Sequence, residues 1–156
     1  MKKFKLLFSM LVAILVIASC SKDKYDAEAQ MKIDEALIIE HITNNNIPAV
    51  RHSSGLYYQI IQPGTGKAIA STSTVTVSYE GRLLDGKIFD ATSGSSVTFN
   101  LGQVIKGWTI CIPLIKELGE IRLIIPSPLA YGKDSPSASI PSKSVLDFRV
   151  IVNRVQ

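Results

Sequence analysis

The chain has 156 residues, 46% of them hydrophobic, enough for one domain and little more. Its 17 Lys and Arg against 13 Asp and Glu overstate the charge of any folded part, because Lys2, Lys3 and Lys5 sit in "MKKFK" ahead of an apolar run. Setting residues 1–19 aside leaves 14 against 13, and no basic stripe with interleaved aromatics remains, which excludes nucleic acid as a partner. The two histidines, His41 and His52, and the two cysteines, Cys20 and Cys111, fall at no metal-ligand or Cys/His catalytic spacing, so neither a metal nor another cofactor is expected.

"MKKFK" and the following "LLFSMLVAILVIAS" have the basic and apolar regions of a signal peptide. The apolar run is shorter than the roughly 20 residues that span a bilayer. The ending "IASC" resembles the lipobox, the processing signal of bacterial lipoproteins. That resemblance implies that Cys20 takes a diacylglyceryl group and becomes the mature N-terminus. The chain would then sit in the cell envelope, on the membrane through this anchor, at the outer membrane or the periplasmic face. Ser21 after the cysteine is compatible with the outer membrane. An ordinary signal peptide cut nearby and an uncleaved signal anchor are the alternatives. With Cys20 acylated, Cys111 has no disulfide partner and reads as a small buried apolar residue.

Residues 21–26, "SKDKYD", read as a polar tether. A helical period follows from Ala27 to about Thr43, with Ile33, Leu37, Ile38 and Ile42 as its apolar stripe and Asp34, Glu35 and Glu40 outside it. "NNNIP" ends it, since Asn tolerates the left-handed stop and Pro48 blocks continuation. A lone helix of this length is marginal in water, so it is expected to rest on the domain or to pair with another copy. Monomer or dimer is left open. The expected division is a signal over 1–19, a lipidated tether and helix over 20–54, and a folded domain over 55–156.

From Gly55 the period changes to two. "GLYYQIIQ" reads as a strand and "PGTG" as a turn. In "STVTVSYEGRLL", Val75, Val77 and Tyr79 face one way and Thr74, Thr76, Ser78 and Glu80 the other, the pattern of a half-buried strand. Asp85-Gly86 is a hairpin pair returning through "KIFDAT", and "SSVTFNLG" is another short strand. A helix is expected from about Ile105 to Lys116, interrupted by Pro113. "EIRLIIP" puts Ile121, Leu123 and Ile125 on one face, residues 126–144 form a long loop, and "VLDFRVIVNRV" closes the sheet with Leu146, Phe148, Val150 and Val152 inward. Long loops in compact domains are often binding elements. One short helix covers only part of an apolar sheet face. Tyr79, Phe89, Val104, Ile105, Trp108, Tyr131 and Phe148 would converge where helix and sheet diverge, leaving an aromatic-lined concavity.

Four segments, "VTVSYEGRLLDGKIFDAT", "LGQVIKGW", "RLIIPSPLAYG" and "IPSKSVLDFRVIV", match in order and spacing over residues 55–156. Together they resemble the FK506-binding-protein family of peptidyl-prolyl cis-trans isomerases. The resemblance implies an α+β fold: a twisted antiparallel five-stranded half-barrel sheet wrapped on one short helix, here with an N-terminal helical extension. It implies a proline pocket with Trp108 as its floor and Tyr79, Phe89, Asp90, Tyr131 and Phe148 as its working side chains. Val104 and Ile105 precede the floor, Ile140 is an apolar flap, and the Ile105 N–H bonds a substrate carbonyl. Val97 stands where many members carry a phenylalanine, so a more open rim is expected there. "WTICIP" departs from the family after the tryptophan, and Cys111 and Pro113 leave the helix geometry open. Asp147 replaces an apolar residue on the outward face, where little effect is expected.

The implied activity is cis-trans isomerisation of prolyl bonds, assisting the folding of exported proteins without a cofactor. Implied partners are proline-containing polypeptides and macrolide inhibitors such as FK506. The other possibility is a holdase or peptide adaptor of the same fold with little turnover.

Overall fold

The chain is described here by a computed structural model over residues 24–156. The expected signal segment and Cys20 lie outside the described residues.

Helix α1 (Ala27–Asn44) starts at Asp26, whose carboxylate accepts from the N–H groups of Glu28 at 2.9 Å and Ala29 at 3.1 Å. Those are donors that a helix start leaves open. It stops as expected: Asn46 takes a φ of 50° and Pro48 follows. The buried face follows the expected stripe only at Ile38 and Ile42. Gln30, Asp34 and Ile38 are buried, while Ile33 and Leu37 are exposed. Counting apolar residues misplaced the face because Asp34 finds hydrogen-bond donors inside the protein, which offsets the cost of burying its carboxylate. Ile38 packs with Ile47, Tyr57, Ile124 and Val145, and burial of such a side chain contributes roughly 1.5–3 kcal/mol.

The strands are β1 (Val50–Arg51), β2 (Tyr57–Gln62), β3 (Thr74–Leu83), β4 (Ile88–Ala91), β5 (Val97–Asn100), β6 (Glu120–Ile125) and β7 (Leu146–Val155). All pairings are antiparallel, in the order β1-β2-β6-β7-β3-β4, with β5 also on β3. The sheet therefore has seven strands rather than five. The two-residue β1 adds an edge that no period can reveal. In addition, β4 and β5 share one edge of β3, pairing with residues 80–82 and 74–77 in turn. The alternation read in β3 holds, with Val75 and Val77 fully buried. Ile121, Leu123, Ile125, Leu146, Phe148, Val150 and Val152 join them in the main core.

Helix α2 (Lys106–Cys111) lies against this core. It is shorter than the expected span to Lys116. Pro113 has no N–H to continue the ladder and clashes with the turn before it, so the chain tightens into a 3-10 turn over Ile112–Leu114. Gly107 allows the close approach of α2 to β6: a Cβ there would stand 2.6 Å from Ile125 Cγ2. Cys111 is fully buried and unpaired among the described residues, and burial pushes its thiol up to about 12.

Asp147 is the second departure on the outer face. It points away from the main core, as expected, yet it is only 6% exposed because α1 covers it. Arg122 on β6 donates to both of its oxygens, at 2.9 and 2.6 Å, and His41 Nε2 on α1 lies 3.3 Å from one of them. The sheet thus has two packed faces, α2 and the main core on one side and α1 on part of the other.

Candidate active site

Four elements aim aromatic side chains at one point. Tyr79 on β3, Phe148 on β7 and Phe99 on β5 come from the inward-facing rows of their strands, and α2 brings Trp108 between them. The ring centroids of Tyr79 and Phe148 each lie 5.3 Å from Trp108, at interplanar angles of 82° and 81°, and Phe99 lies 5.7 Å away at 89°. Phe89 meets Phe148 at 5.4 Å and 88°. All are edge-to-face contacts, each worth about 0.5–1.5 kcal/mol beyond area burial. Gly81 makes room for this packing: a Cβ there would stand 2.6 Å from the Phe89 ring and 2.7 Å from Phe148.

The rings enclose a cavity of about 170 Å³ lined by Tyr79, Phe89, Asp90, Phe99, Val104, Ile105, Trp108, Tyr131, Ile140 and Phe148. This is room for a small ring rather than for a folded peptide. The structure thus brings together every residue expected in the pocket except Val97. That residue pairs with Val77 across the sheet and is 41% exposed, and it does not line the cavity. Phe99, two residues on and therefore on the same strand face, takes the wall. The period-two pattern of "SSVTFNLG" carried that signal, since it places the larger side chain nearer Leu101 and the core.

Polar groups are few and placed. The Tyr79 hydroxyl donates to Asp90 Oδ2 at 2.6 Å. The Tyr79 N–H donates to Thr92 Oγ1 at 2.9 Å, and the Thr92 N–H returns to the Tyr79 carbonyl at 2.9 Å, which fixes where β3 presents the ring. Burial first, then the Asp90 carboxylate, holds the Tyr79 hydroxyl well above the usual phenol range. The same two causes raise Tyr131. Both hydroxyls are therefore neutral donors across the physiological range. Trp108 is 4% exposed, and its Nε1–H is buried with no acceptor; an unmet buried donor costs about 1–3 kcal/mol. Ile105 lines the cavity just before α2, and its carbonyl accepts from the Trp108 N–H at 3.0 Å. Ile140 and the 38%-exposed Tyr131 come from the long loop.

A larger groove of about 340 Å³ lies on the other face, lined by Arg82, Arg122 and Arg149 with Glu80, Asp147, Gln59 and Ile61. Size alone favours it, but chemistry does not. Each of its arginines is paired, with Glu80, Asp147 and Glu120 respectively, so it offers no free charge. Among the described residues no group of His, Cys, Asp and Glu is placed to hold a metal.

Trp108 is both core and pocket floor, and the two roles separate by substitution. Trp108→Ala is expected to cost about 3–5 kcal/mol of stability. Trp108→Phe, which keeps a ring in the box, is expected to stay within about 1–2 kcal/mol while weakening proline-ligand binding. Urea unfolding and a binding titration check both. In the unaltered chain, a proline-containing ligand should shift the emission of this single tryptophan.

Comparison with known proteins gives the same picture. The family model described as FKBP-type peptidyl-prolyl cis-trans isomerase matches residues 66–153. A probable FKBP-type peptidyl-prolyl cis-trans isomerase, FkpA, of Neisseria meningitidis is 41% identical over 131 residues, which cover 83% of this chain and 47% of that protein. FkpA of Escherichia coli is 46% identical over 100 residues, 63% of this chain and 37% of that one. Among solved structures, a peptidyl-prolyl cis-trans isomerase from Pseudomonas syringae superposes with a TM-score of 0.72 at 29% identity, covering 85% of this chain and 98% of that chain. The crystal structure of FkpA from Escherichia coli gives 0.67 at 37% identity, covering 83% and 64%. The chain spans about half or less of the length of these curated relatives. A family match over more than half of the sequence, spanning every residue that lines the aromatic cavity, makes this chain a member of the FKBP-type peptidyl-prolyl cis-trans isomerase family.

Proposed function

We propose that the chain catalyses cis-trans isomerisation of X-Pro bonds in exported polypeptides. The observation that carries this reading is the aromatic enclosure of one small cavity around Trp108, with the Tyr79 and Tyr131 hydroxyls neutral at its edge. An X-Pro amide rotates slowly because resonance sets a barrier of about 18–20 kcal/mol. No bond need form or break to lower it. The amide in the transition state is twisted and carries less charge separation than a planar one, so an apolar, water-poor site favours it relatively. Phe89, Phe99, Trp108 and Phe148 supply that environment and grip the pyrrolidine ring. The Ile105 N–H and the Tyr131 hydroxyl hold substrate carbonyls on one side of the amide while the other side rotates. Asp90 acts through Tyr79, keeping its ring and hydroxyl in place; it is not a general base. The gain lies in stronger binding of the twisted form than of either planar one.

The cavity fits a single proline ring, and macrolides of the FK506 class would compete for it. The signal-like start and "IASC" support lipid attachment at Cys20 and a place in the cell envelope, with residues 20–54 as tether and helix and 55–156 as the catalytic domain. An outer-membrane protein, MIP of Legionella longbeachae, is 40% identical over 99 residues, which supports a place in the envelope.

The direct test is exchange of a proline peptide followed by NMR or a coupled cleavage assay. Uncatalysed exchange takes tens to hundreds of seconds. Acceleration that an FK506-class macrolide suppresses is the expected result. Peptide binding without acceleration would replace the enzyme by a holdase or adaptor. For the anchor, Cys20→Ser is expected to abolish incorporation of a fatty-acid label while leaving exchange activity intact; continued labelling would refute attachment at that cysteine.

A further inference from the structure

Asp34 is a carboxylate with no solvent exposure, on a helix that lies outside the matched family segment. Burying a charge is expensive unless it is hydrogen-bonded, and Asp34 is bonded on both oxygens. Oδ1 accepts from Gln30 Nε2 at 2.7 Å. Oδ2 accepts from the Ser127 N–H at 2.7 Å and the Ser127 hydroxyl at 2.6 Å. Ser127 is itself buried and begins the 3-10 turn Ser127–Leu129 that opens the long loop.

What Ser127 does next gives the contact its meaning. Its carbonyl accepts from the N–H of Ala130 at 2.9 Å and from the N–H of Gly132 at 2.8 Å. Those two residues bracket Tyr131, which lines the proline cavity. Gly132 in turn accepts from the Lys143 N–H at 2.7 Å, closing the loop that also carries Ile140. On the outer side of the turn, Tyr25, just before α1, packs against Gly132: a Cβ built there would lie 3.4 Å from the Tyr25 oxygen. One chain of hydrogen bonds therefore runs from α1 through Ser127 to the backbone on either side of Tyr131.

We propose that Asp34 is a positioning residue of the isomerase site: α1 uses it to clamp the root of the 126–144 loop and so sets where Tyr131 stands over the cavity. This rests on the isomerase reading above. The helix is then part of the active-site scaffold, not only a spacer between membrane and domain. The alternative is that Asp34 merely docks the helix, and the two differ in what its loss does to the loop.

The test uses the full chain. Asp34→Ala is expected to speed amide hydrogen exchange over residues 127–132 and to lower kcat/KM for a proline peptide about tenfold, since displacement of a positioned group by ~1 Å can cost up to about 10²-fold. Asp34→Asn keeps the shape and one acceptor oxygen and should give a smaller effect in the same direction; it serves if the alanine variant does not fold. A double-mutant cycle separates positioning from docking. If Asp34 acts through Tyr131, its substitution costs much less kcat/KM once Tyr131→Phe is present. Fully additive losses, or a folded Asp34→Ala chain with unchanged kcat/KM, would overturn the proposal. Should the unaltered chain bind proline peptide but not accelerate exchange, the isomerase reading fails. The clamp is then judged by the loop amides alone, where unchanged exchange at 127–132 would refute it and faster exchange would support it.

Discussion

The edge-to-face contact of Trp108 with Tyr79, Phe99 and Phe148 is the interaction on which the rest of the site depends. It joins α2 to three strands that are far apart in sequence. It also decides where the cavity lies, because the cavity is the space these rings leave between them. The contact requires two glycines. Gly107 lets α2 descend onto Ile125, and Gly81 leaves space for Phe89 and Phe148. The indole N–H has no partner among the described residues, and its ring borders the cavity. Stability and binding draw on the same rings, which is why the floor residue belongs both to the main core and to the pocket wall.

The sheet is held from both faces, and the second face is polar at its key points. α1 contributes Ile38 and Ile42 to a small apolar cluster, and its polar anchors are Asp34 with Ser127, Glu35 with Arg51 and Tyr57, and His41 with the Arg122–Asp147 pair. Buried ionic contacts add little net stability relative to apolar packing, yet they are geometrically exacting. In this position they fix the register of the helix on the sheet and tie it to the loop that borders the cavity.

Much of this was legible in the sequence because strand alternation and the aromatic positions follow from local pattern. Val75, Val77, Ile121, Leu123, Phe148 and Val150 face the core as read, and the motifs around Tyr79, Phe89-Asp90, Val104-Ile105-Trp108 and Tyr131 meet in one cavity. What failed depends on tertiary partners. The face of α1 was misread because a buried Asp34 looks like a surface residue until Ser127 is seen beside it. Asp147 was judged inconsequential because its partners, Arg122 and His41, come from another strand and from α1. Phe99 was not named among the site residues, yet it shares a strand face with the exposed Val97 and takes the cavity wall. The short α2 was half legible: Pro113 marked the break, but its tightening into a 3-10 turn required the packing of Ile112.

The central claim is that the cavity works by enclosing and twisting an amide, with no proton moved. Both phenols at the cavity are held above their ordinary range, and neither His41 nor His52 lines it. The most direct measurement is therefore kcat/KM for a proline peptide as a function of pH, repeated in heavy water. A profile flat between about pH 6 and 9, a window that includes ordinary imidazole titration and ends below that of phenol, with no solvent isotope effect, is the result this account predicts. A bell-shaped profile centred in that interval, or a substantial isotope effect on the chemical step, would mean that a group in the site transfers a proton and would contradict it.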